Sequence, residues 1–136
     1  MAKMNQRVRE IFENQQTVVL ATATKSGVPN VVPINAKKII DDETILISDQ
    51  FFNKTLTNMK DNPQVALTCW DKYEGYQIKG KATIEMSGQL YQDTVRWIEE
   101  VGKRLNVPLK SKGAIVVKIT EIYNISPGPQ AGVKIA

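Results

Sequence analysis

From Tyr76 to Met86 the chain alternates without a break, setting Tyr76, Ile78, Gly80, Ala82 and Ile84 against Gln77, Lys79, Lys81, Thr83 and Glu85. A period of two belongs to a strand with one face on a core and the other in water. That strand needs partners. Gly80 stands on the inward face, where a missing side chain marks a bend or a close approach, as happens when a sheet curls into a barrel.

The rest of the chain supplies those partners. Thr17–Thr24 is rich in β-branched residues, Lys25-Ser26-Gly27 makes a turn, and Asn30–Ile40 reads as a second strand, completing a hairpin. Pro29 and Pro33 confine that strand to an edge, a strand start or a bulge, because proline cannot donate to a ladder. Thr44–Ser48, Gln64–Trp70 and Ala114–Tyr123 complete a set of six strands with Tyr76–Met86. Helical spacing appears in residues 2–14, through Met4, Val8, Ile11 and Phe12. It returns from Leu90 through Thr94, Trp97, Ile98 and Val101 to Leu105, with a stop near Asn106 and Pro108. The pattern is β-rich, of the α+β class, and predicts a closed or nearly closed antiparallel barrel with flanking helices. At 136 residues the chain is expected to form a single domain over 1–136, burying about two-thirds of its unfolded surface.

Composition removes many chemistries. The chain has no histidine, so a Ser-His-Asp triad and histidine-ligated metals are excluded. Its one cysteine, Cys69, lies in Val65-Ala66-Leu67-Thr68-Cys69-Trp70 and reads as a packed strand thiol in a reducing compartment. The net charge is +4, but fourteen of the eighteen basic residues are lysines scattered along the chain, which argues against a nucleic-acid stripe. No apolar run approaches membrane-spanning length, and the start lacks a signal-peptide core. The expectation is a cytoplasmic protein with no membrane or nucleic-acid partner. If it does chemistry, a cofactor supplies the reactive atoms and no side chain is a catalytic candidate.

One segment has the makings of a cofactor site. Phe51-Phe52-Asn53-Lys54-Thr55 opens a short helical run directly after the Thr44–Ser48 strand. The first amides of a helix lack internal partners and lie at the positive end of its dipole, so a lysine and a threonine there complete a corner for a phosphate. The plain alternative is that Asn53 or Thr55 caps a surface helix and Lys54 is solvated. No Gly-x-Gly-x-x-Gly or Gly-Lys-Ser/Thr loop is present, so the corner belongs to neither common nucleotide fold.

Taken in order, these segments resemble the pyridoxamine 5′-phosphate oxidase-like FMN-binding split barrels. The resemblance runs from Val18 to about Tyr123 and is carried by Ala21-Thr22-Ala23-Thr24-Lys25-Ser26-Gly27-Val28-Pro29, by Val31-Val32-Pro33-Ile34-Asn35, by the Asn53-Lys54-Thr55 helix ending at Asn62-Pro63, and by the Gly75–Ala82 strand. It implies an antiparallel six-stranded split β-barrel with FMN as cofactor. Lys54 and Thr55, beside Asn53, would hold the flavin phosphate, with Lys37 or Lys38 as candidates for a second cation. Val32, Pro33, Ile34 and Asn35 would offer backbone groups to the ring, while Ser48, Asp49 and Gln50 would approach the ribityl chain or the pyrimidine side. It further implies a homodimer with flavin sites at the subunit interface, where Trp70, Tyr73 and Tyr76 are placed either to cover the partner's flavin or to pack their own hairpin.

The true pyridoxamine 5′-phosphate oxidases carry an arginine-rich C-terminal segment. Here the only arginines are Arg7, Arg9, Arg96 and Arg104, all on the two longer predicted helices. The expected activity is therefore a general FMN-dependent oxidoreductase served by a small-molecule electron donor or acceptor. The alternative is a non-catalytic flavin-binding or electron-carrier module. A deazaflavin or haem in place of FMN, and an oligonucleotide-binding barrel, stay open as further readings.

Overall fold

The computed structural model describes residues 1–136 as three helices and seven strands. They run α1 (Gln6–Asn14), β1 (Val18–Ala23), β2 (Pro29–Ile34), β3 (Lys37–Asp41), β4 (Thr44–Asp49), α2 (Lys54–Asp61), β5 (Gln64–Asp71), β6 (Glu74–Glu85), α3 (Gln89–Leu105) and β7 (Gly113–Asn124). All pairings are antiparallel, in the order β2-β1-β5-β6-β7-β4-β3. The fold is a split barrel, with seven strands instead of the six expected.

The extra strand comes from Asn30–Ile40, which is two strands with different partners. β2 pairs with β1 down to Ile34 opposite Val18, whereas β3 starts afresh with Lys37 opposite Ile47 of β4. Since β2 and β3 are the two outer strands of the sheet, Asn35-Ala36 carries the chain from one edge to the other. Side chain and backbone pin this crossing: the Thr17 hydroxyl donates to Asn35 Oδ1 at 2.6 Å, and Ser48 N donates to Ala36 O at 3.0 Å. The sheet is thus closed by covalent chain and left unladdered along the split.

The core gathers twenty buried residues, among them Leu20, Ile47, Leu67, Ile78, Ile115, Ile119 and Ile122 from the sheet and Val8, Ile11 and Phe12 from α1. The first helix starts at Gln6, later than expected, because the Asn5 side chain accepts from Val8 N at 2.9 Å and caps it there. Ala2 and Met4 are buried as extended chain, donating their amides to Ile119 O and Asp42 O. Cys69 is fully buried, and desolvation pushes its thiol up to about 12, so it is packing and not a nucleophile. The residues after Ser126 fold back along the end of β7, with Ile135 N donating to Ile122 O at 2.8 Å and a bridge between Tyr123 and Lys134. No helix is long and apolar enough to cross a membrane.

Gly80 is a point of close approach. The β6–β7 register jumps there, from Lys79 opposite Glu121 to Gly80 opposite Ile119, so β7 carries one extra residue. A Cβ on Gly80 would lie 2.5 Å from Lys118 O and 2.7 Å from Val117 Cγ1. Neither the backbone oxygen nor the buried valine can yield cheaply. Gly80→Ala is expected to lower stability by about 1–3 kcal/mol, read as an earlier midpoint in urea unfolding at unchanged slope.

Candidate functional site

A cavity of about 560 Å³ opens at the split, within the range of roughly 300–1,000 Å³ typical of small-molecule sites. One wall is β2 with the crossing, from Val32 to Ala36, and a second is Ser48 and Gln50 at the end of β4. The Phe51–Asn53 loop and the first residues of α2, Lys54 and Thr55, form the third. Opposite them stand Ile98, Val101 and Leu105 of α3, with Leu109. The lining is apolar in the main, with Asn30, Asn53, Lys54 and Thr55 forming a polar end and Asn35, Ser48 and Gln50 set along the other walls.

That polar end is the start of α2. Asn53 accepts no cap bond, so the opening amides of the helix have no side-chain partner, and there is no acidic residue in the first turn. Lys54 is exposed and belongs to none of the ion pairs of the molecule. A lysine at the first helical position works against the dipole, an arrangement that a bound anion turns into an attraction. Thr55 is 3% exposed, and its Oγ1 accepts from Asn30 Nδ2 at 3.0 Å. Behind it, Thr22 Oγ1 accepts from both Asn30 Nδ2 (3.2 Å) and Asn58 Nδ2 (3.1 Å). Neither Asn53 nor Thr55 serves as a helix cap.

Of the ten residues singled out from the sequence, Val32, Pro33, Ile34, Asn35, Ser48, Gln50, Asn53, Lys54 and Thr55 share this cavity, and Asp49 does not. The Asp49 carboxylate is buried behind the wall, where it accepts from Phe52 N at 2.9 Å, and Lys112 Nζ lies 3.8 Å away. It shapes the loop. Ser48 lines the cavity, yet its hydroxyl donates to Ser111 Oγ at 2.7 Å, and Ser111 in turn donates to Gly113 O. Gln50 is different, since its buried Oε1 has no hydrogen-bond partner.

Lys37 and Lys38 are not brought to the cavity. Lys37 Nζ donates to Phe12 O at 3.2 Å, with burial lowering its pKa, and Lys38 Nζ stands 4.2 Å from the centre of the Trp97 ring. Trp70 and Tyr73 are 45% and 82% exposed and line no part of it, while the Tyr76 hydroxyl donates to Glu74, which also pairs with Arg7. Two contributors escaped the sequence reading. Asn30 had a signal, because it lies two residues before Val32 on the same strand face. The α3 wall had none, since helical spacing shows that a face is buried but not what it covers.

A sequence profile described as pyridoxamine 5′-phosphate oxidase matches residues 4–126. An uncharacterized protein of Methanocaldococcus jannaschii is 45% identical over 139 residues, covering 100% of this chain and 90% of its own. This chain belongs to the pyridoxamine 5′-phosphate oxidase family. Among solved structures of similar fold are HupZ of Group A Streptococcus, with TM-score 0.78 and 24% identity over 95% of this chain and 99% of that one, and an FMN-binding protein of Syntrophomonas wolfei, with TM-score 0.75 and 20% identity over 89% and 85%. An F420 reductase (TM-score 0.67, 21% identity over 88% and 98%) and HutZ, the haem storage protein of Vibrio cholerae (0.66, 14% over 90% and 94%), share the fold as well. One fold thus serves proteins described by different cofactors.

The contrast between neighbouring residues gives a test. Asp49→Ala strands the Phe52 amide and is expected to cost about 1–3 kcal/mol in urea unfolding. Lys54→Ala, with no partner to lose, should stay within about 0.5 kcal/mol of the parent.

Proposed function

We propose that this chain is an FMN-binding oxidoreductase of the general kind in its family, with the flavin in the cavity at the split. The observation that carries the reading is the joining, in one cavity, of an uncapped helix start bearing Lys54 and Thr55 with an apolar slot along β2. The flavin phosphate would meet Lys54, Thr55 and the helix amides, and the orphaned Gln50 Oε1 offers an acceptor to an N–H of the ring's pyrimidine side. The edge of β2 not paired with β1 would supply backbone groups to the ring from Val32 to Asn35.

Lys54 is the only titratable side chain in the lining. The chain's part is accordingly to bind, orient and exclude water, with no acid or base of its own. FMN, when bound, would supply hydride and electron transfer, exchanged with a small-molecule donor or acceptor. Pyridoxamine phosphate oxidation is disfavoured because no arginine lines the cavity: Arg7 pairs with Glu74 and Glu10, Arg9 with Asp42 and Glu13, Arg96 with Asp93, and Arg104 is exposed without an ion pair. Haem fits poorly, since the lining holds no histidine, cysteine, methionine or tyrosine to ligate iron. A deazaflavin with a phosphate-linked tail would use the same corner and is the second cofactor to try. A lone buried thiol and scattered lysines support a cytoplasmic protein with no nucleic-acid or membrane partner.

The same reading includes a homodimer. The outer face of β2-β1-β5 presents Val19, Ala21, Ala23, Pro29, Val31, Pro33, Ala66, Thr68 and Trp70, an uncharged and largely apolar surface, with Val31 62% exposed. A patch of this kind is a surface that a second copy of the chain would cover. Val31→Glu is expected to convert a dimer in sedimentation to a monomer without unfolding it, and a parent that already sediments as a monomer sinks the dimer.

The cofactor test begins with the absorption spectrum of the purified protein and titration with FMN. Flavin should bind at about one per chain, and Lys54→Ala with Thr55→Ala should weaken it about 100-fold with the circular dichroism unchanged. Undiminished binding in the double variant would remove the site. Bound flavin that no reduced nicotinamide or other donor reduces would favour the electron-carrier or non-catalytic module.

A further inference from the structure

We propose that Asn30 is a positioning residue that turns the Thr55 hydroxyl hydrogen toward the phosphate of a bound flavin nucleotide, an inference that rests on the flavin reading above. A hydroxyl has one hydrogen to give and two lone pairs. In Thr55 a lone pair is taken by Asn30 Nδ2 at 3.0 Å, and the hydrogen meets no acceptor in the protein. The usual outlet for a threonine in a helix is the carbonyl four residues back. Thr94 of α3 takes that outlet, donating to Leu90 O at 2.8 Å, whereas Thr55, as the second residue of α2, has no helical carbonyl four residues back to use. Its side chain is nevertheless buried and lines the cavity. The unused hydrogen has only the cavity to serve.

Asn30 is held to this task by its surroundings. In the β1–β2 ladder it stands directly opposite Thr22, whose hydroxyl accepts one hydrogen of the Asn30 amide while Thr55 accepts the other. Both hydrogens of the amide nitrogen are thereby committed. Asn58 of α2 donates to the same Thr22 oxygen, so the strand pair and the helix share one polar knot. An aspartate at position 30 would invert the arrangement, accepting the Thr55 hydrogen and setting a negative charge beside the phosphate.

Riboflavin, which has the ring and ribityl chain but no phosphate, separates this role from general support of the cavity. Equilibrium titrations with FMN and with riboflavin are run on the parent, Asn30→Ala, Asn30→Asp, Thr55→Val and the Asn30→Ala/Thr55→Val pair. Asn30→Ala should weaken FMN about 10-fold or more and leave riboflavin within about twofold. In the Thr55→Val background it should have no further effect on the ratio of the two, because Asn30 acts through that hydroxyl. Asn30→Asp, nearly the same shape, covers the case in which the alanine variant does not fold, and should lose more FMN affinity than Asn30→Ala. Equal losses for FMN and riboflavin, or an unchanged ratio in Asn30→Asp, would overturn the assignment while leaving the flavin site standing. A parent protein that binds no FMN at all overturns the flavin reading and this inference with it.

Discussion

Everything distinctive in this molecule depends on two residues that change sheet edges. Asn35 and Ala36 take the chain from the outer side of β1 to the outer side of β4, and no ladder forms between the strands on either side of them. A fully laddered barrel of this size would fill its interior with side chains and leave no room for a ligand. Here the missing ladder leaves a slot with backbone on one wall, and the loop after β4 sets a helix start at the slot's end. The crossing also needs its own support, given by Thr17 and by the Ser48 amide.

The polar end of the slot is assembled against local preference. A lysine opens α2 where an acidic residue would suit the dipole, and no cap satisfies its amides. A polar knot of Thr22, Asn30, Asn58 and Thr55, tied by three amide-to-hydroxyl hydrogen bonds, holds this start in place. Natural proteins accept such local costs at functional sites, where fixed geometry matters more than helix stability. By contrast, Asn5 caps α1, and Asn106 ends α3 in the left-handed region.

The sequence was legible wherever a period could be counted. Alternation located β6 and the inward Gly80, and apolar spacing located α3 to within a residue or two of its ends. Asn30–Ile40 looks like one strand in sequence because a change of partner leaves no mark on composition: both halves are strand-like, and only the ladder tells them apart. Asp49 and Gln50 are adjacent in sequence, yet one builds the loop and the other meets the cavity, a distinction set by the turn at the end of β4. Lys37 and Lys38 were near the site in sequence only, and their ammonium groups settle over Phe12 and Trp97. The Lys54–Thr55 corner was readable because helix-start chemistry is local, whereas the α3 wall depends on long-range packing.

The backward fold of the last residues bears on how the molecule stays apart from its neighbours. β4 accompanies β7 only from Gly113 to Lys118, so beyond Ile119 the longer strand would show water a bare row of amides and carbonyls on that side. Ile135, Ala136 and Val133 answer that row through Ile122 and Asn124. The returning segment serves as a short guard strand. It denies other chains a template for cross-strand pairing, and so directs self-association away from this rim of the sheet.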